Sequence, residues 1–162
     1  MDISFDKEIV DLGPLGPTAV YQVSGSEFQN ACLQANSVES DNTGYRLHGG
    51  AYVAIRAIAK MSFLFEGKRV LELGTGSGIV GIAASKLAEL ASVALTDGNA
   101  RALDIARMNA ASVPYNTFIN ISRFRLTYFP AGRLIRMSLS IYFNCCGAFC
   151  PIRFRTSAIL LI

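Results

Sequence analysis

Apolar residues recur with a definite period in the middle of the chain and lose it at both ends. From Ala51 to Ser62 two stripes repeat at three- and four-residue steps: Tyr52, Ile55, Ala59 and Ser62, and Val53, Ala57 and Met61. Either stripe predicts a helix with that side turned inward. Arg56 and Lys60 fall four apart on the remaining face, and Gly67 supplies a stop. Lys68 to Leu73 reads as a short strand running straight into glycines, and Ile79 to Leu90, rich in Ala, Ile and Leu, as a second helix. Ser92 to Thr96 is a second strand, and Ala100 to Ala111 a third helix with Asn99 placed to cap it. Strand, glycine turn, helix, strand, helix is the repeating unit of a parallel α/β sheet.

The flanks are less regular. Asp11-Leu12-Gly13-Pro14-Leu15-Gly16-Pro17 is expected to be a loop, and Ala19 to Val23 a short strand, β-branched and aromatic in content. Ser37 to Thr43 is polar and expected to be exposed. Past Ser112, Val113-Pro114-Tyr115 ends the helix, and Phe, Arg, Ile and Ser then mix without a sustained period. Three parts follow: an N-terminal extension with short strands over 1–43, a core over 44–112, and an Arg-rich apolar tail over 113–162.

Composition narrows the class. A length of 162 residues suits one domain, and 51% hydrophobic with 17% charged residues excludes intrinsic disorder. A net charge of +3 argues against a strongly basic nucleic-acid binder. That mild value hides a division. All 12 acidic residues lie between Asp2 and Asp104 beside 8 basic ones, a balance of −4. From Ile105 onward there are 7 Arg and no Asp, Glu or Lys, a balance of +7. The cysteines, Cys32, Cys145, Cys146 and Cys150, cluster too closely for a disulfide framework, and no secretory signal opens the chain, so reduced thiols and a cytoplasmic location are expected. Cys145-Cys146-x-x-x-Cys150 lacks the paired spacing and fourth ligand of a closed zinc site, and the single His48 is remote, so no metal is expected. Met137 to Ile152 is apolar and flanked by Arg, but it is shorter than the roughly 20 residues of a spanning helix and contains Asn144, Gly147 and Pro151.

The segment that carries chemistry is Val70-Leu71-Glu72-Leu73-Gly74-Thr75-Gly76-Ser77-Gly78, followed by Leu95-Thr96-Asp97-Gly98-Asn99. The glycines let the backbone turn off the strand and approach a ligand without a Cβ in the way. The helix that follows directs free N–H groups at whatever sits above the turn. Asp97, ending the next strand, is placed to accept hydrogen bonds from a ribose. Two registers fit. Gly76-Ser77-Gly78-Ile79-Val80-Gly81 is a literal G-x-G-x-x-G with Asp97 about 20 residues on, as a dinucleotide site requires. Gly74, however, already occupies the place after the strand, and Glu72 stands two residues before it. A carboxylate there opposes a pyrophosphate and suits a cation. S-adenosylmethionine carries an ammonium and a sulfonium and no phosphate, so the acid-h-G-x-G-x-G register favours it over NAD(P). An oxidoreductase using the shifted register, or a non-catalytic module associated with a membrane through the tail, are the competing readings.

At these residues the sequence resembles the class I S-adenosylmethionine-dependent methyltransferases, and within them the protein-lysine methyltransferases of family 16. The resemblance runs from Thr43 to about Ala111, through Thr43-Gly44-x-x-x-His48-Gly49-Gly50-Ala51, Val70 to Gly81, Leu95 to Asn99 and Ala106-Arg107-Met108-Asn109. Thr96-Asp97-Gly98-Asn99 is similar to the calmodulin-lysine methyltransferase branch. The resemblance implies a Rossmann-like α/β fold with a parallel sheet, expected to be incomplete after the second β-α unit. It implies S-adenosylmethionine as cofactor, held by Glu72, Gly74, Thr75 and Gly76 with Asp97 on the ribose, and a protein lysine rather than nucleic acid as partner. His48 stands where the family commonly has a Trp against the cofactor. The family's adenine-side acid and its lysine-positioning acid and aromatic have no counterpart in 112–162, so no catalytic residue is assigned. The tail is expected to be either a divergent ending or translation outside the original reading frame.

Overall fold

The computed structural model describes residues 4–34, 42–113, 117–123, 141–145, 148–152 and 158–161, with only the backbone described for 30–34 and from 141 onward. It opens on a hairpin of β1 (Phe5–Asp11) and β2 (Pro17–Val23), paired antiparallel from Phe5 with Val23 to Asp11 with Pro17. The expected Gly/Pro loop is its connection, containing a 3-10 turn over Gly13–Leu15 and an Asp11 side chain that accepts the Gly13 N–H at 2.9 Å. Pro17 sits at the first residue of its strand, where a missing N–H does least harm. A helix not foreseen in the sequence follows, α1 (Gly25–Gln34). Its apolar spacing is poor, but Ser24-Gly25-Ser26-Glu27 carries the S-x-x-E signature of a helix start. Of the polar stretch from Ser37, residues 37–41 lie outside the described residues.

After a 3-10 turn at Thr43–Tyr45, α2 spans Gly49–Lys60 and buries Ile55 and Ile58. The stripe through Tyr52 and Ile55 is therefore the inner one, and the alternative stripe faces solvent, with Val53 70% exposed. The parallel core comprises β3 (Arg69–Leu73), α3 (Ile79–Leu87), β4 (Ser92–Asp97) and α4 (Ala100–Ser112). Asn99 caps α4 as expected, its side chain accepting from the Arg101 N–H at 3.0 Å. The order expected to end at Ser112 continues into β5 (Ile119–Arg123), parallel to β4. Five residues are too few to show a period, yet Ile119 and Ile121 pack against the core. Of the remaining chain, β6 (Ile141–Cys145) and β7 (Ala148–Ile152) form an antiparallel pair, and β8 (Ala158–Leu161) lies parallel beside β3. The main sheet thus runs β5-β4-β3-β8.

Because helices cover a parallel sheet, its strands read as continuous apolar runs. Val70, Val93 and Leu95 are all at most 1% exposed and join Ile58, Ile82 and Ala110 in one cluster. Leu12 and Val20 of the hairpin region pack with Ile55, Ile79 and Ala83, while Val23 packs with Tyr45, Ala102 and Ile105. The hairpin is in this way seated on α2, α3 and α4 rather than standing apart. Among the described residues no helix is long and apolar enough to cross a membrane, and the described parts of the Met137–Ile152 stretch are strands. No group of three or more His, Cys, Asp or Glu is placed to hold a metal among the described residues; the side chains of Cys145, Cys146 and Cys150 lie outside them.

Gly81 lies inside α3, where Ala ordinarily adds about 1 kcal/mol of helix stability. Here a Cβ would overlap the Leu95 side chain, which is fully buried, and come within 2.5 Å of Glu72 Oε2. Gly81→Ala is therefore expected to destabilise the fold by about 1–3 kcal/mol. A urea-unfolding midpoint equal to or above wild type would show that the strand-to-helix contact is looser than described.

Candidate functional site

The turn from β3 to α3 is built on three glycines with positive φ, Gly74 at 65°, Gly76 at 53° and Gly78 at 78°. The alternation reverses the chain within five residues and leaves α3 starting at Ile79, with Gly78 at its N-cap and no side-chain cap of its own. The missing anion comes from below. Glu72, 6% exposed, accepts the Gly81 N–H on Oε2 at 2.9 Å, so a strand carboxylate serves the exposed donors of the helix start. Burial pushes the Glu72 carboxyl up to about 7 and the negative charge of Asp97 adds to the rise, while the Thr75 hydroxyl and the Gly81 N–H pull it down. The Thr75 hydroxyl stands near that carboxyl but is buried without a well-formed hydrogen bond.

A cavity of about 430 Å³ opens over this turn. Glu72, Gly74, Thr75 and Gly76 all line it, as does His48 from the rim. Its other wall comes from the 43–48 segment and from Ala51 and Ala54 of α2. A side chain at Gly74 would meet nothing within 4 Å, so that backbone faces open space, whereas Gly76 is tight against Gly44, whose Cα lies 3.0 Å from an ideal Cβ position. Asp97 is not among the lining residues. Its Oδ2 accepts the Gly76 N–H at 2.9 Å and its Oδ1 the Asn99 N–H at 2.8 Å. In this arrangement Asp97 braces the turn from the β4 side. His48 is exposed, precedes α2 at its N-cap, and its Nε2 contacts the Thr43 carbonyl, which links the two ends of the 43–48 segment.

That segment is held by residues the sequence did not single out. Gln22, 4% exposed, accepts the Leu47 N–H at 3.1 Å and donates to Glu8 at 2.7 Å. Arg46 donates to the Val23 carbonyl at 2.7 Å and pairs with Glu8 at 3.3 Å. The Tyr45 hydroxyl accepts from Asn99 Nδ2 at 3.1 Å. The signal for Gln22 was present as a polar residue inside an otherwise apolar strand, Val20-Tyr21-Gln22-Val23.

The donors present fit a nucleoside with a cationic amino-acid arm. The cavity offers a buried carboxylate, an unsatisfied hydroxyl and exposed glycine backbone, and no lysine or arginine from the turn itself. They fit a pyrophosphate poorly, because Glu72 already supplies the anion at the α3 N-terminus where a phosphate would bind.

Comparison with known proteins agrees with this geometry. A family profile described as lysine methyltransferase matches residues 28–122, further in both directions than the Thr43–Ala111 resemblance. No curated protein matches the sequence. Among solved structures, protein arginine methyltransferase 10 of Arabidopsis thaliana is similar at 26% identity and a TM-score of 0.40, over 43% of this chain and 20% of that one. The Trypanosoma brucei PRMT1 enzyme-prozyme complex with AdoHcy is similar at 25% identity and a TM-score of 0.41, over 45% and 22% of the two chains. The Pyrococcus abyssi tRNA (uracil-54, C5)-methyltransferase in complex with S-adenosyl-L-homocysteine is similar at 22% identity and a TM-score of 0.41, over 73% and 24%. The chain thus spans about a fifth to a quarter of the length of these structures. The profile match covers more than half of the 162 residues, and the chain, with its parallel α/β sheet, belongs to the lysine methyltransferase family.

Proposed function

We propose that the chain binds S-adenosylmethionine at the glycine turn and transfers its methyl group to a protein lysine. The observation that carries the first half is the buried Glu72 at the foot of the turn, a carboxylate that accepts the Gly81 N–H and, among the described residues, pairs with no Lys or Arg. A cationic ligand in the cavity satisfies that charge, and a dinucleotide does not. Gly74 and Thr75 offer backbone and hydroxyl contacts to the methionine arm. Asp97 reaches the ribose with the lone pairs that its bonds to Gly76 and Asn99 leave free. The second half rests on the family description, lysine methyltransferase.

When bound, S-adenosylmethionine supplies a methyl group activated by its sulfonium. The amine nitrogen of a neutral lysine forms the new C–N bond as the C–S bond breaks, and its proton leaves to solvent. The chain's part is alignment: the braced turn fixes the cofactor end of the line. The proposed setting is cytoplasmic.

Titration calorimetry separates the two registers. S-adenosylhomocysteine is expected to bind and NADH to release no heat; the reverse result would move the chain to the oxidoreductases. Glu72→Gln keeps the shape and removes the charge, and is expected to weaken S-adenosylhomocysteine by about ten-fold.

The acceptor is tested by incubating the chain with methyl-labelled S-adenosylmethionine and a cell extract, followed by hydrolysis. Label in methyl-lysine is expected. Label confined to methyl-arginine or to RNA would overturn the lysine assignment and leave the cofactor assignment standing.

Glu72 also sets a pH dependence. An unperturbed glutamate titrates near 4.5 and this one at about 7, so the folded chain holds the proton more tightly than the unfolded chain. Its contribution to stability is complete below the unfolded value and is lost as pH rises through about 7. In the absence of ligand, the urea midpoint of the wild type is expected to fall between about pH 5 and pH 8 by more than that of Glu72→Gln. Parallel curves for the two proteins would contradict the burial of this carboxyl.

A further inference from the structure

The helix α4 presents apolar and small residues to the core, with Ala102, Leu103, Ile105, Ala106 and Ala110 all buried, and one amide among them. Asn109 is 0% exposed, and its carboxamide makes three hydrogen bonds. Oδ1 accepts the Tyr21 N–H at 2.6 Å, and Nδ2 donates to the Tyr21 carbonyl at 3.1 Å. The side chain pairs with the edge of β2 as a neighbouring strand would. The second hydrogen of Nδ2 goes to the Ser77 carbonyl at 2.9 Å. Ser77 is itself 6% exposed and lies between Gly76 and Gly78, in the turn that lines the cavity. One buried group therefore touches the N-terminal hairpin and the glycine turn together.

Among the described residues, α4 also meets the turn by packing, at Gly78. A Cβ at Gly78 would lie 2.9 Å from the Ala106 Cβ, so turn and helix are in direct contact, but through atoms that carry no direction. Dispersion contacts fix a distance, and a hydrogen bond fixes which way the Ser77 peptide points. A buried amide with a missing partner is costly, so the arrangement is held at both ends.

We infer that Asn109 is a positioning residue of the cofactor site. Through its bond to the Ser77 carbonyl it fixes the orientation of the glycine turn, and through its two bonds to Tyr21 it makes the hairpin, which lies outside the stretch matched by the family profile, part of the support of that site. This rests on the reading of the turn as the cofactor cradle. Loss of either end loosens the cradle from behind, because Asn109 supports the turn without itself lining the cavity.

The test compares wild type with Asn109→Ala and Asn109→Asp. Asn109→Asp keeps an acceptor for the Tyr21 N–H and removes the donors to the Ser77 and Tyr21 carbonyls, so it breaks the same bond without emptying the space that Asn109→Ala leaves. Two readouts are taken on each folded protein well below its melting temperature: the dissociation constant for S-adenosylhomocysteine, and hydrogen exchange of the 74–78 amides without ligand. The expected result is affinity weaker by about ten-fold, the loss of one buried hydrogen bond's worth of orientation, together with faster exchange in the turn. A variant with a lowered melting temperature but wild-type affinity and wild-type exchange at the turn would reduce Asn109 to a core residue and overturn the proposal. Failure of the wild type itself to bind S-adenosylhomocysteine would overturn the cofactor reading alone. Hydrogen exchange then decides the positioning role, with unchanged 74–78 amides counting against it.

Discussion

A carboxylate buried against the first turn of a helix is the constraint around which the site is arranged. Glu72 points from β3 into the start of α3, takes the Gly81 N–H, and in doing so gives the helix the negative charge that its Gly78 N-cap lacks. The geometry has a steric condition. Glu72 reaches the donor only because residue 81 has no side chain, and Leu95 fills the space beside it. The same contact makes the cavity chemically selective. An anion placed at the helix start excludes a second anion there, while a cation above the turn relieves the cost of keeping a carboxylate out of water.

Close backbone approach recurs around that point. Gly76 meets Gly44, Gly78 meets Ala106, and Gly81 meets Leu95. Three separate elements, the 43–48 segment, α4 and β4, converge on one turn within van der Waals distance. Polar bonds then fix what packing cannot: Asp97 takes the Gly76 N–H, Asn109 donates to the Ser77 carbonyl, and the Thr96 carbonyl takes the Thr75 N–H at 2.9 Å. Every residue from Thr75 to Ser77 is thereby held by a group from another element. Gly74, with no atom near its missing Cβ, is the part of the turn left facing the cavity.

Which of this was readable in the sequence follows from distance along the chain. Glu72, the glycines and the Asn99 cap are legible because each acts within a few residues of its own position, where spacing alone states the geometry. The Gln22 and Arg46 contacts to the 43–48 segment and the double role of Asn109 depend on partners 23 or more residues away, which no local period encodes. Asn109 was visible as part of a family motif but not as a clamp. Strand β5 escaped because Ile119-Asn120-Ile121-Ser122-Arg123 is short and carries only two apolar positions. Helix α1 escaped because its signal lies in its first turn rather than in an apolar stripe. Asp97 was read as a ligand contact, and the fold shows a second use for it, since both its oxygens already hold backbone N–H groups. The charge division acquires one structural landmark: the family profile ends at residue 122, within β5, in the stretch of chain whose charged residues are all arginine.

The bond between Asn109 and Tyr21 also orders events in time. The two residues are separated by 88 positions, a closure that local structure cannot shorten and that slows a fold relative to one made of neighbouring contacts. On a ribosome adding roughly 5–20 residues per second, the hairpin is exposed for several seconds or longer before α4 follows it out. Throughout that interval the open edge of β2 has no amide to pair with, and the turn that awaits Asn109 is still without its anchor. The nascent hairpin is thus an unprotected strand edge whose shielding arrives with the last turn of α4, and the earliest moment at which the glycine turn can be rigid is the moment that edge is covered.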